Sequence, residues 1–394
     1  SFSNNVCLSM AVVAVPFNAT VLATYYTDNC GGPVTAIPVD TTLIGDDCGW
    51  IIIYAYKVVD ICGNALLNQN ITHSGGDLTA PTGMPPMTSL NNNACKATAI
   101  ATYPFNPVTA GAGYTDNCGA SIIVTLTNTQ LIGTDCSWAI IYTFSVKDQC
   151  NNALNAQQMV ISGGDHTPPS FTRPPDITIF ANELCQYNAT VGITGDVTNE
   201  SDGCSSSLNA TFTDNVVNGS CACTYIISRT WHLVDACGNA APDQVQTIYV
   251  YSVIVTNNND SGPGSLREVV SCAPAGSTIT FAPSLSGNPI VLTSGEITID
   301  KDLTITGVGL FDLMISGNNA SRIFHLQQGK TLTVAYLALK NANTVTNGGA
   351  IYVEGNLRLN NILLQNNKEN GVPKAMTLTS TGSLEAMGTI QIMN

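Results

Sequence analysis

Along Trp138–Lys147, Trp138, Ile140, Tyr142, Phe144 and Val146 alternate with Ala139, Ile141, Thr143, Ser145 and Lys147. A period of two with one apolar face predicts a half-buried strand whose greasy side packs on a second layer. A similar strand, Trp50-Ile-Ile-Ile-Tyr-Ala-Tyr-Lys-Val-Val59, lies 88 residues earlier. Around both, short runs rich in Val, Ile, Thr and Tyr are divided by Gly, Asn, Asp and Pro turns, a pattern that predicts antiparallel strands.

The cysteines follow the same period. Cys7, Cys30, Cys48 and Cys62 are spaced by 23, 18 and 14 residues, and so are Cys95, Cys118, Cys136 and Cys150. Tyr26-Thr-Asp-Asn-Cys-Gly31 returns as Tyr114-Thr-Asp-Asn-Cys-Gly119, and Ser74-Gly-Gly-Asp77 as Ser162-Gly-Gly-Asp165. A divergent third copy carries Cys185, Cys204, Cys223 and Cys237, keeps the last spacing of 14, and adds Cys221. Each copy is expected to be an antiparallel β-sandwich. Arg229 stands where the first two copies have Tyr54 and Tyr142, and its guanidinium is expected to pair or to reach the sandwich edge. Thr79-Ala-Pro-Thr-Gly-Met-Pro-Pro86 and Thr167-Pro-Pro-Ser-Phe-Thr-Arg-Pro-Pro175 read as semi-rigid linkers. Copy one has no such segment before it. It is expected to lack its first strand and to begin inside a longer array, or to be completed by a neighbour's strand.

After about residue 252 the pattern shortens. Ser265-Leu-Arg-Glu268 reads as a capping box that opens a short helix over Leu266–Cys272. Runs of two to four apolar residues follow, among them Thr278–Phe281, Ile297–Ile299, Leu332–Val334, Leu337–Leu339, Ile351–Val353, Leu357–Leu359 and Ile362–Leu364, with Gly and Asn between them. This predicts a parallel β-helix with its first rung capped by the helix. Asn318, Asn319, Asn341, Asn343, Asn360, Asn361, Asn366 and Asn367 are candidates for stacked amide ladders or for ordinary turns. The predicted whole is all-β: sandwiches over 1–80, 81–168 and 169–251, then a parallel β-helix over 252–394.

Composition narrows the function. Charged residues are 10% of the 394, and the net charge is −14 with 13 Lys and Arg, so the basic footprint of a nucleic-acid binder is missing. No apolar run is long enough for a transmembrane helix. The 14 cysteines include no C-x-x-C, and the four histidines are scattered, so zinc spacing is absent and disulfides in an oxidising compartment are the expected state.

Four cysteines per copy allow three pairings. Cys48 and Cys62 bracket a strand of about ten residues, roughly 33 Å long at ~3.3 Å per residue, too far for a bridge. In a Greek-key sandwich the first and third cysteines share one end and the second and fourth the other. The expected bridges are therefore Cys7–Cys48, Cys30–Cys62, Cys95–Cys136, Cys118–Cys150, Cys185–Cys223 and Cys204–Cys237. Cys221–Cys272 is expected to clamp copy three onto the β-helix.

Thr27-Asp-Asn-Cys-Gly31, Asp60-Ile-Cys-Gly-Asn64, Asp148-Gln-Cys-Asn-Asn152 and Asp235-Ala-Cys-Gly-Asn239, with the Thr-Ala-Pro and Thr-Pro-Pro linkers, resemble hyalin-repeat (HYR-like) immunoglobulin-fold modules of bacterial surface adhesins, which implies three tandem immunoglobulin-like β-sandwiches. Asn259-Asp-Ser-Gly-Pro-Gly-Ser-Leu-Arg267 and Gly348-Gly-Ala-Ile351 resemble the right-handed β-helix of polymorphic outer-membrane-type repeats, although Leu364-Gln-Asn-Asn367 lacks the usual phenylalanine. The resemblance implies a secreted, surface-displayed protein.

No catalytic residue set is expected. Asp300, Asp302, Asp312, Arg322 and Glu354 are the β-helix residues a glycan-cleaving enzyme would use, but their spacing selects no pair. Calcium is a softer expectation: Asp28, Asp60 and Asn64 in loops, and Asp77 and Asp165 at the joints, offer oxygen ligands but read first as turn caps. The expected function is a non-enzymatic extracellular structural or adhesive protein, such as a fibre, tube or sheath subunit, partnered by itself head to tail. The alternatives are an adhesin for cell-surface glycans and, behind it, a polysaccharide-cleaving enzyme.

Overall fold

The structure, a computed structural model, describes residues 4–119, 121–309 and 312–393. The protein is all-β, with 10% helix and 47% strand, and ends in a β-solenoid of about 5 turns. Among the described residues no helix is long and apolar enough to cross a membrane. The chain forms two compact units. One holds residues 1–168 with the loops 202–206 and 235–239 of copy three; the other holds 169–201, 207–234 and 240–394.

In the first unit, copy one has strands β1 (Asn4–Asn5), β2 (Thr35–Asp46), β3 (Gly49–Val59) and β4 (Ala65–Gly76) in the order β1-β4-β3-β2. Copy two begins with β5 (Thr82–Gly83), a piece of the linker. It continues with β6 (Asn92–Asn93), β7 (Tyr114–Thr115), β8 (Ile123–Thr134), β9 (Ser137–Lys147) and β10 (Ala153–Gly164), in the sheet order β6-β10-β9-β8. The predicted alternation is the buried face of the central strand: Trp50, Ile52, Tyr54, Tyr56 and Val58 in copy one, and Trp138, Ile140, Tyr142, Phe144 and Val146 in copy two.

The layer covering that face corrects the expectation of paired sheets. In copies one and two the one four-stranded sheet is covered by short helical turns rather than a second large sheet. In copy one these are Ala11–Ala14 and Ala19–Ala23, and in copy two Lys96–Thr102 and Pro107–Gly111. Asn18 and Asn106 cap the second turn of each pair, the Asn106 side-chain oxygen Oδ1 accepting from the N–H of Val108 and Thr109. Buried Ala11, Leu22, Ala99 and Ala110 present small or compact side chains to the large aromatic face.

Copy one opens on β1, which pairs parallel with β4 through Asn4–Gly75 and Asn5–Gly76, as β6 pairs with β10 in copy two; among the described residues it has no counterpart of β5. The repeated Gly-Gly follows from this packing. A Cβ at Gly75 would lie 2.2 Å from the Trp50 ring, and one at Gly163 would lie 2.5 Å from Trp138.

In the second unit, copy three has strands β11 (Ser170–Thr172), β12 (Ile177–Ala181), β13 (Thr198–Ser201), β14 (Thr211–Asn218), β15 (Tyr225–His232) and β16 (Gln244–Ser252). Its main sheet runs β12-β16-β15-β14, the topology of the other copies. Arg229 explains itself here. Tyr54 and Tyr142 donate to the carbonyls of Val15 and Tyr103 in the covering segments, at 2.9 and 2.7 Å. Arg229 does the same at 2.6 Å to the Ala189 carbonyl. It is 1% exposed, pairs with both Asp214 carboxylate oxygens at 2.8 Å, donates to Thr194 Oγ1, and lies 3.9 Å over the Phe212 ring.

The solenoid matches the predicted runs closely. Three parallel ladders fill its core: Ile279–Ile305–Val334–Leu359, Ile290–Ile315–Leu339–Leu364 and Ile297–Phe324–Ile351–Met376. Leu332–Val334 and Leu337–Leu339 belong to one strand, Thr331–Lys340, bent at Tyr336 (φ 54°); Asn361 (φ 53°) bends Asn356–Gln365 the same way. Asn318, Asn319, Asn341 and Asn366 also adopt positive φ. These asparagines serve as left-handed turn residues, which their short side chain tolerates. Asn367 is buried and ties turns together, accepting from the Ala342 N–H and donating to the Leu339 carbonyl. The helix Leu266–Cys272 buries Leu266, Val269 and Val270 in the first rung.

Replacing Arg229 with Ala strips Asp214 of its partner and empties the space under Phe212. The expected loss is about 3–5 kcal/mol, the range for breaking a buried pair, read as a lowered denaturation midpoint. Arg229→Ala within 1 kcal/mol of wild type, a limit set by the value of exposed ion pairs, would refute this reading.

Candidate functional site: the joints between copies

The Asp-x-Cys-x-Asn loops are built by their own first residue. Asp60 Oδ1 accepts from the N–H of Cys62 and Asn64 at 2.9 and 2.8 Å, and Oδ2 accepts from the Asn64 amide at 2.7 Å. Asp148 and Asp235 receive the matching bonds from Asn152 and Asn239. The Asn64 side chain, with the N–H groups of Asn64, Cys62 and Gly63, outweighs burial and holds the Asp60 carboxyl below the usual range. At Asp235 burial pushes up, but the Asn239 amide and the backbone N–H groups win and the carboxyl again lies low. Asp60 and Asn64 thus act as turn caps.

These loops present cysteines to the preceding copy. Cys7 bonds to Cys118 and Cys48 to Cys150; Cys95 bonds to Cys204 and Cys136 to Cys237. Four expected pairs are therefore corrected: Cys7–Cys48, Cys95–Cys136, Cys118–Cys150 and Cys204–Cys237 do not form. The first and third cysteines do share an end, since the Leu8 N–H donates to Asp47 at 2.7 Å. What fails is the premise that each copy closes on itself. The rule is directional: first and third cysteines of one copy bond to second and fourth cysteines of the next.

The expected Cys30–Cys62 bridge is also absent. Both are free and exposed. In the second unit Cys185, the first cysteine of copy three, bonds to Cys223, the third, and Cys221 bonds to Cys272. The Ala222 N–H between them donates to Glu268 of the capping helix at 3.1 Å.

Polar contacts repeat with the bridges. The Asn152 amide donates to the Asp77 carbonyl and the Asn239 amide to the Asp165 carbonyl, both at 3.0 Å. Asn117 donates to the Asp77 carboxylate at 3.1 Å. The first linker is not a free spacer, because β5 pairs with β7. Each joint also brings two carboxylates together, Asp77 with Asp116 and Asp165 with Asp202, their nearest oxygens within 4.8 Å. Asp77 and Asp165 are 2% exposed. Asp116 Oδ1, Asp165 Oδ2 and Asp202 Oδ1 are buried without a hydrogen-bond donor. The cysteine sulfurs beside them are tied in disulfides and offer no thiolate.

The β-helix candidates separate. Asp302 accepts from the Thr331 N–H, Asp300 lies 4.0 Å from Lys301, and Asp312 is an exposed turn residue. Arg322 and Glu354 belong to a cluster that spacing did not reveal, because its members come from successive rungs. His325 lies between Glu354 (2.8 Å) and Glu296 (3.4 Å), Arg322 pairs with Glu296 at 2.5 Å, and its guanidinium lies 5.0 Å over Tyr352. The pairing of His325 with Tyr352 across adjacent strands places these residues on one outer face.

No protein-family model matches this chain, and no curated protein matches it.

Two outcomes follow. Cys48→Ser should release Cys150 as a new alkylatable thiol while Cys7 stays protected; exposure of Cys7 instead would contradict the between-copy pairing. The Asp60 loop carries a carboxyl lower folded than unfolded. Its contribution is present above the ordinary value of about 3.9 and is lost as pH falls through the lower folded value. Pepsin cleavage between residues 60 and 67, normalised to an unfolded substrate, should rise below about pH 4 in wild type. It should lose that dependence in Asp60→Asn; equal profiles would refute it.

Proposed function

We propose that this protein is a non-enzymatic extracellular structural component of a cell surface, in which tandem repeats are locked into a continuous covalent array. The observation carrying this reading is the pair of bridges between successive copies. Each spans 101 to 111 residues, and a lone bridge over about 100 residues is worth about 4.7 kcal/mol in the chain-entropy model. The second bridge of each pair adds less to stability but prevents swivelling about the first. Such bonds persist in oxidising surroundings, which supports a secreted location, as does the resemblance to adhesin modules.

Head-to-tail assembly into a fibre or sheath is the version of this function we favour. Negative-stain microscopy and sedimentation of the oxidised chain should give filaments; monomers at every concentration would remove the filament version. Binding to glycans is the competing version, resting on Tyr352, His325 and Arg322 on the solenoid face. Selective retention on a glycan array, abolished by Tyr352→Ala, would favour it, and release of new reducing ends would point to the enzymatic alternative.

A second reading concerns calcium. The unpaired buried oxygens of Asp165 and Asp202 suit a hard cation that bridges two carboxylates. Millimolar calcium should raise the melting temperature of wild type and not of Asp202→Asn; no shift in wild type would remove this reading.

A further inference from the structure

Both observed joints obey one rule, and copy one holds an unused half of it. Cys118 and Cys150 of copy two, and Cys204 and Cys237 of copy three, each receive a sulfur from the copy before. Their counterparts in copy one are Cys30 and Cys62, the two free cysteines. The presenting side is used throughout: Cys7, Cys48, Cys95 and Cys136 bond forward, while Cys185 and Cys223, with no fourth copy to meet, bond to each other. The array is therefore closed at copy three and open at copy one.

Other features of the receiving surface agree. Asp60 and Asn64 already hold the Cys62 loop in the shape that presents Cys150 and Cys237. Ile61 is 76% exposed and Leu66 51%, whereas Leu154, the counterpart of Leu66, is half-buried. A cleft of about 280 Å³ lies between Tyr26, Thr27, Asp28, Asp60, Asn64 and Leu66. Thr27 is the counterpart of Thr115, on which the β5 linker lies in copy two; Tyr26–Thr27 forms no strand. Tyr25 stands where copy two has Gly113, and a Cβ at Gly113 would meet the Met84 carbonyl at 2.0 Å. A linker on copy one must therefore take the irregular path seen in β11–β13, where Asn199 occupies that position.

We propose that Cys30 and Cys62 are the receiving half of a third joint, and that its partner is a further repeat of this type whose first and third cysteines are reduced. A second copy of the present chain does not qualify, because all its presenting cysteines are engaged. The first cysteine of the incoming repeat bonds to Cys30 and the third to Cys62. Each new S–S bond releases two protons and two electrons, taken up by a small-molecule disulfide such as oxidised glutathione, which leaves as two thiols. The assignment rests on the joint geometry and stands apart from what the assembled protein binds.

The test adds a duplicate of residues 1–88 ahead of the full 394-residue chain, refolds it in a glutathione buffer, and maps bridges by mass spectrometry without reduction. The expected bonds run from the duplicate's first cysteine to Cys30 and from its third to Cys62. Alkylation at Cys30 and Cys62, complete in the unextended chain, should be lost and should appear at the duplicate's own second and fourth cysteines. A Cys30–Cys62 bond, glutathione adducts, or continued alkylation would overturn the proposal. Should the extended chain not fold, the same mapping on the natural secreted protein decides. Cys30 and Cys62 bonded to two cysteines of another repeat support the proposal, and the flanking peptides show whether that repeat shares the polypeptide. Cys30 bonded to Cys62, or both recovered as free thiols, refutes it.

Discussion

The double disulfide between one copy and the next is the constraint on which the first unit depends. Each copy is built on one four-stranded sheet, covered in copies one and two by short helical turns, a thin core for its length. Small domains of this kind commonly need covalent staples. Placing the staples between copies serves two ends at once: it restricts the unfolded chain over about 100 residues, and it fixes the orientation of neighbours through two separated points. The Asp-x-Cys-x-Asn turn makes this possible. It rigidifies the loop through the aspartate and turns one asparagine amide hydrogen inward, while the amide also reaches the carbonyl of the copy before.

The solenoid reaches stability by another route. The rungs up to Asn356–Gln365 bury Ile, Leu, Val and, in places, Phe against their neighbours in register, and several corners use asparagine where the backbone turns left-handed. Parallel stacking leaves each end of the ladder open unless something covers it. The helix Leu266–Cys272 covers the first rung, and Cys221–Cys272 holds it to copy three within the same unit.

Much of this was legible in sequence for physical reasons. Alternation gave the buried faces of the central strands because a sheet with one wet face leaves a period of two. The short apolar runs gave the solenoid strands, and Ser265 gave the helix start. The sheet's cover was not legible: Ala11-Val-Val-Ala14 has a strand-like composition, and only packing under Trp50 and Tyr54 selects a helical turn. Disulfide partners were legible only in part: Cys185–Cys223 and Cys221–Cys272 form as expected, and the other five expected bridges do not. The shared end of first and third cysteines is compatible with bonding to each other, as in copy three, or to the next copy, as in copies one and two. A signal was present in the strict period of 88, since identical copies can meet identical neighbours by one rule. The cluster around His325 was hidden because its members lie on successive rungs, far apart in the chain.

The central claim is that sulfur joins successive copies and does not close each one. Disulfide mapping of the intact, unmodified 394-residue chain by non-reducing digestion and mass spectrometry tests it most directly. The account predicts Cys7–Cys118, Cys48–Cys150, Cys95–Cys204 and Cys136–Cys237 peptides. Recovery of Cys7–Cys48 and Cys118–Cys150 would contradict it.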